Sequence, residues 1–265
     1  MTDTERHTAH ARTSLTPPDT APTATAAPLV KRVPAYAADP GDHEAVFNVF
    51  LDNNGDWEKY RTWYDNTSIA NHESLTLRIL FDHDAGPRDA AWTLAAYESP
   101  VSERMWHMTL TPTVPAPVLG ALLSTLTAGD AHDCALGSPI ETTVTEVVKP
   151  LADVGWTPVV DGRWMRWTSE QGEAGAQFDA FAAHDPGLLD TWTLWAGPSV
   201  NQPAWTIRAS AYTPADLLSA LTGELAHGLS TRRTAAVTTA PSRQHTPALP
   251  PTAPSPSPHP SAPRR

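Results

Sequence analysis

The chain has 265 residues, with 18 Lys and Arg against 29 Asp and Glu and a formal net charge of -11. Hydrophobic residues make up 40% and the mean hydropathy is -0.33, enough apolar side chain for a core in a polar chain. One Cys excludes a disulfide framework and a Cys-rich zinc module, and the acidic balance excludes a uniformly basic nucleic-acid binder.

Residues 1–28 are rich in Thr, Ala and Pro and contain no aromatic residue. Asp3 and Glu5 stand where a secretory signal would be positive, and no apolar h-region follows. No stretch approaches the roughly 20 apolar residues of a membrane span. A disordered tail and a cytoplasmic location are expected. From residue 35 the pattern changes. Leu75, Leu77, Ile79 and Phe81 alternate with Thr76, Arg78 and Asp82, and Trp106, Met108 and Leu110 alternate with His107 and Thr109. Both read as strands with one apolar face. Val118, Leu119, Leu122 and Leu126 form a helical stripe.

A second set follows in the same order. Ser138-Pro139 with Glu141 reads as an N-cap and capping box for a helix carrying Val144, Val147, Val148 and Leu151. Pro150 is expected to kink or shorten it. Residues 163–168 and 174–183 read as a hairpin around Ser169-Glu170-Gln171-Gly172, followed by strands over 191–196 and 205–211. Thr213-Pro214-Ala215-Asp216 then caps a helix with Leu217, Leu218, Leu221 and Leu225 on one stripe. Beyond it, residues 231–265 are Pro-rich and basic, and no acid follows Glu224. Such a segment cannot bury enough apolar area to offset its ordering entropy, so disorder with polyproline II character is expected.

The tryptophans show that the two sets are copies. Trp57 and Trp156 lie 99 apart, Trp63 and Trp164 101, Trp92 and Trp192 100, and Trp106 and Trp205 99. A period near 100 suits two copies of a small domain, here 35–130 and 131–228. Each copy is expected to be an antiparallel four-stranded sheet with flanking helices, α-β-β-β-β-α, giving an α+β fold of tandem pseudo-repeats. Without βαβ alternation a doubly wound fold is rejected. Residues 35–228 hold 26 acids and nine bases, a charge of -17, while residues 231–265 carry +5. The body therefore repels nucleic acid, and only the tail could touch it.

Two such units, with Leu151-Ala152-Asp153-Val154-Gly155-Trp156, Trp205-Thr206-Ile207-Arg208-Ala209 and Thr213-Pro214-Ala215-Asp216-Leu217-Leu218 in the second, resemble the SPDY domain. That is a domain of unknown function of filamentous high-GC Gram-positive bacteria, found in two copies per protein. The resemblance spans about residues 35–228; the first copy departs from it with Leu51-Asp52-Asn53-Asn54-Gly55-Asp56-Trp57, and the family's Ser-Pro-Asp turn is absent. The resemblance implies an architecture and brings no catalytic residue.

Chemistry is sparser. Asp52, Asn54 and Asp56 fit the first positions of an EF-hand loop, but Trp57 and Trp63 stand where Gly and a bidentate Glu are needed. The segment reads as a polar turn. His83-Asp84 and His184-Asp185 recur at matching places and are the best candidate polar site, with shared turns as the plainer explanation. His132-Asp133-Cys134 reads as a linker thiol, and Asn66-Thr67-Ser68 as a sequon by pattern alone. No Gly-rich phosphate loop, HExxH or paired-Cys spacing occurs, so no cofactor, metal or catalytic residue is assigned. Trp167 and Trp195 have no Trp counterpart in the first copy and are candidates for an aromatic binding surface or a contact between copies. The expected function is a non-catalytic interaction or scaffolding module whose partner is another protein, without a membrane. The alternatives are an enzyme with a site between the copies and a nucleic-acid accessory protein acting through its basic tail. The sequence sets no oligomeric state.

Overall fold

A computed structural model describes residues 29–64, 66–128, 140–184 and 190–234. Both expected tails up to residue 28 and beyond 234, the Ser138-Pro139 cap, the Cys134 linker and Asp185 lie outside these residues.

In chain order the elements are β1 (Leu29–Pro34), a 3-10 turn (Ala35–Ala37), α1 (His43–Asn53), β2 (Trp57–Arg61), β3 (Thr67–His72), β4 (Leu77–Asp82), β5 (Trp92–Tyr97), β6 (Arg104–Leu110) and α2 (Ala116–Ala128). The second half repeats the pattern with α3 (Ile140–Asp153), β7 (Pro158–Asp161), β8 (Trp164–Thr168), β9 (Ala174–Asp179), a 3-10 turn (Ala182–His184), β10 (Asp190–Ala196), β11 (Trp205–Ser210) and α4 (Ala215–His227). The chain then runs into β12 (Leu229–Thr234), which pairs antiparallel with β1.

The mixed helix and antiparallel-sheet composition agrees with the α+β expectation, but each repeat has five strands where the sequence suggested four. The added strand is the first of each half, β2 or β7. Both lie at the edges of the sheet, so each has one strand neighbour. β2 buries only Trp57, and β7 is exposed throughout. An edge strand without a buried alternate set shows no period of two. Residues 231–234, expected to begin the tail, instead form the second part of β12.

The repeats also share one sheet. Its order is β2-β3-β4-β5-β6-β11-β10-β9-β8-β7, and the last strand of each repeat pairs with its counterpart. In the β6–β11 ladder Leu110 faces Ile207, Thr109 faces Arg208 and Met108 faces Ala209. Given the Trp106–Trp205 spacing, Thr109 and Arg208 are equivalent residues, so a pseudo-twofold axis passes through this pair. Hydroxyls close the ladder at both ends. The His107 N–H donates to Ser210 Oγ at 3.0 Å, and the equivalent Thr206 N–H donates to Thr111 Oγ1 at 3.0 Å.

One hydrophobic cluster runs through both halves. Trp92, Trp106, Trp192 and Trp205 lie on the covered side of the sheet, beneath helices arranged α1-α2-α4-α3. α1 begins at Asp42, whose carboxylate accepts the Ala45 N–H at 2.9 Å. It then seats Phe47 edge-on against Trp92 and Phe50 against Trp57. Pro150 does not end α3, which continues to Asp153. Three of the four tryptophan pairs occupy matching places. The exception is Trp63, in the turn after β2, against Trp164, which opens β8; the sheet register matches Trp164 to Thr67.

Candidate functional site

His83 and Asp84 do not bond to each other as a dyad. His83 follows β4, where its Nε2 lies 2.9 Å from Ser68 Oγ and its ring packs on Phe81. Asp84 is exposed, and its N–H donates to Asp82 Oδ1 at 3.0 Å. In the second repeat the equivalent of Asp82 is Asp179, whose Oδ1 accepts the N–H of Phe181 at 3.0 Å and of Ala182 at 3.1 Å. The structural counterparts of His83 and Asp84 are thus Ala180 and Phe181. His184 comes later, ending the 3-10 turn, and Asp185 is outside the described residues. β4 and β9 run antiparallel with four strands between them, so His83 and His184 follow strand ends at opposite ends of the sheet. β4 and β9 themselves lie about 24 Å apart across the strands. The continuous ladder leaves no cleft in the sheet between the repeats for them to line.

Trp167 and Trp195 do not form an exposed surface either, since each is 2% exposed. Opposite faces for Trp164 and Trp167 follow from their spacing in β8, and it is Trp167 that turns into the core, 6.5 Å from Trp192. Trp195 lies on the other side of the sheet, between Gly175 and Thr206 in register. A Cβ at Gly175 would collide with its ring, so the glycine makes room for the indole. Both flanking strands, β9 and β11, belong to the second repeat, so Trp195 is not at the junction of the copies. The two most exposed aromatics among the described residues are Trp63 at 96% and Tyr64 at 85%, in the turn after β2.

The junction carries a polar group that sequence reading missed. His107 Nε2 lies 3.4 Å from Asp190 Oδ1, and Arg208 Nη1 lies 3.9 Å from Asp190 Oδ2. Ser210 Oγ accepts the His107 backbone N–H and lies 3.4 Å from Thr213 Oγ1, so its hydroxyl closes the ladder. Only the sheet register brings these residues together across 83 positions of chain. Among the described residues no group of three or more His, Cys, Asp or Glu is placed to hold a metal.

A concavity lies in the helix layer of the first repeat. Val46, Val49, Phe50, Gly120 and Leu123 line a groove of about 500 Å³ between α1 and α2, with Asn53, Asn54, Ser124 and Thr127 at its rim. The matching helices of the second repeat are closed on each other. Thr222, the equivalent of Leu123, donates its hydroxyl to the Val147 carbonyl of α3 at 2.5 Å and is fully buried. Leu123 offers no such bond. Leu123 lines the groove instead, and Val49 in the same groove remains 59% exposed.

Three groups have shifted acidity within this frame, Tyr36, whose pKa burial raises, among them. His43 accepts the Trp92 indole N–H at Nδ1, 3.0 Å away, and its Nε2 lies 2.6 Å from the Val114 carbonyl. That pair of partners selects the neutral ring with its proton on Nε2, and burial lowers the His43 pKa. Burial also raises the carboxyl of Glu224 on α4.

No helix among the described residues is long and apolar enough to cross a membrane. No curated protein and no solved structure matches the chain. A family model does match, over residues 74–131 and 168–230, and its description is SPDY, domain of unknown function DUF317. The segments run from the start of β4 to the end of α2 and from the end of β8 into β12. In both halves they contain the three inner strands and the helix after them, while α1, α3 and the outer strands β2 and β7 lie outside. The chain thus carries two SPDY-domain matches, one in each half of a shared sheet.

Proposed function

We propose that the chain is a non-catalytic protein-interaction module and that the groove between α1 and α2 holds the partner. The observation that supports this reading is the difference between the two helix pairs. One pair is closed by the Thr222 bond, and the other is left open over an apolar floor of Val46, Val49, Phe50 and Leu123. An apolar trough with amide and hydroxyl groups at its rim fits an amphipathic helix from another protein, which lays its apolar face into the trough. Trp63 and Tyr64, on the same repeat, extend the contact available to a partner.

The test is affinity capture with the full chain. Val49→Asp puts a charge on the groove floor at an exposed site, and Val159→Asp does the same on the exposed edge strand β7. Loss of a captured protein with Val49→Asp alone supports the groove. Retention with Val49→Asp, or equal loss with both variants, overturns it.

A further inference from the structure

A second surface has a different chemistry. β1 and β12 form a two-stranded ribbon outside the main sheet, packed against the 3-10 turn that follows β1. Its sequences are Leu-Val-Lys-Arg-Val-Pro and Leu-Ser-Thr-Arg-Arg-Thr, with four cations and no acid. The body of 194 residues between positions 35 and 228 has only nine cations among its 26 acids. Lys31 faces Arg232 directly in the register, and Arg233 faces Val30. Like charges opposite each other in a ladder destabilise it. Lys31, Arg32 and Arg232 are nevertheless all exposed, and Asp39 lies 3.7 Å from Arg232. Three of the four cations are arginines, whose planar guanidinium groups suit phosphate oxygens, and Ser230 and Thr231 add hydroxyls.

We infer that this ribbon docks on duplex nucleic acid, entering the major groove of DNA. That groove is about 12 Å wide and admits a two-stranded ribbon. Six residues of strand extend about 20 Å, enough to track a groove and contact phosphates on both sides. The acidic body repels the duplex and limits contact to the ribbon, whose cations supply affinity by displacing counterions. The inference does not rest on the helix groove, and it moves the nucleic-acid contact from the Pro-rich segment after Thr234 to the β1–β12 ribbon.

The experiment measures binding of the full chain to a labelled random-sequence 25-base-pair DNA by fluorescence anisotropy from low to physiological salt. The expected result is binding that weakens linearly in log affinity against log salt. Replacing Lys31, Arg32, Arg232 and Arg233 with Gln should reduce that slope by roughly 3 to 4. The smaller change Lys31→Gln with Arg32→Gln should reduce it by roughly 2 and keeps the test decisive if the fourfold variant unfolds. Four results would each overturn the inference: no binding at 50 mM salt, an unchanged slope in a folded variant, equal competition by single-stranded DNA, or equally tight binding to polyglutamate. Loss of binding on truncation after Thr234, with the ribbon variants unaffected, would assign the contact to the tail and overturn it as well.

Discussion

Thr109 in the first repeat lies directly opposite Arg208 in the second, and the two hold the same position in their own copies. The junction is therefore a self-complementary strand pairing, closed at its two ends by Thr111 and Ser210. Those hydroxyls accept N–H groups of Thr206, which is buried, and His107, which is half-buried.

Removing either hydroxyl leaves an N–H without its acceptor. Thr111→Val and Ser210→Ala are each expected to cost about 1–2 kcal/mol, measured by urea denaturation. Because the ladder joins the halves, both variants should keep a single transition in fluorescence and far-UV circular dichroism. Two separate transitions in the wild-type chain would contradict the shared sheet.

Gly175 and Trp195 test the other side of the sheet. Gly175→Ala forces the indole out of its place and should destabilise by about 1–3 kcal/mol. The double change Gly175→Ala with Trp195→Leu should recover part of that loss, read from the midpoint of the same denaturation curve.

His43 gives stability a pH dependence. Its folded pKa is lowered, so the unfolded state takes up a proton first as the pH falls. The contribution is fully present above the unfolded value of about 6.5 and is lost as the pH drops from there through the folded value. Within that window the slope is at most about 1.4 kcal/mol per pH unit. His43→Gln should remove this component from a urea-midpoint series between pH 7.5 and 5, even though it also lowers stability throughout.

Leu75 sits in the turn between β3 and β4 with φ +61°, a left-handed backbone angle that a branched side chain disfavours. It is exposed, so its side chain contributes little packing. Leu75→Gly should therefore raise the melting temperature, equivalent to about 1 kcal/mol. A lower melting temperature would show that the Leu75 side chain stabilises the turn more than its backbone costs.

The tryptophan positions made the duplication legible because large indoles repeat in the core: Trp92 and Trp192 are both buried, as are Trp106 and Trp205. The strands containing them were legible for the same reason, since burial on one side imposes alternation. Trp63 followed the spacing but not the structure, because it lies in a turn where no packing fixes its register. The His-Asp repetition had the same origin. Asp179 caps its own 3-10 turn, so His184 falls several residues later along the chain than His83 does in its repeat. Pairing of β6 with β11 could not be read at all. Each strand shows an apolar and a polar side, and nothing local says which neighbour takes its free backbone groups. The His107–Asp190 contact depends on that pairing and was hidden with it.

Two identical chains meeting through such a ladder would have to change in pairs, because every substitution on one side appears on the other. Joining the halves in one polypeptide removes that constraint. One helix pair can keep a groove lined by Leu123 while Thr222 bonds the other pair together. Near-symmetry at the seam thus coexists with a molecule whose two ends are free to take up different work.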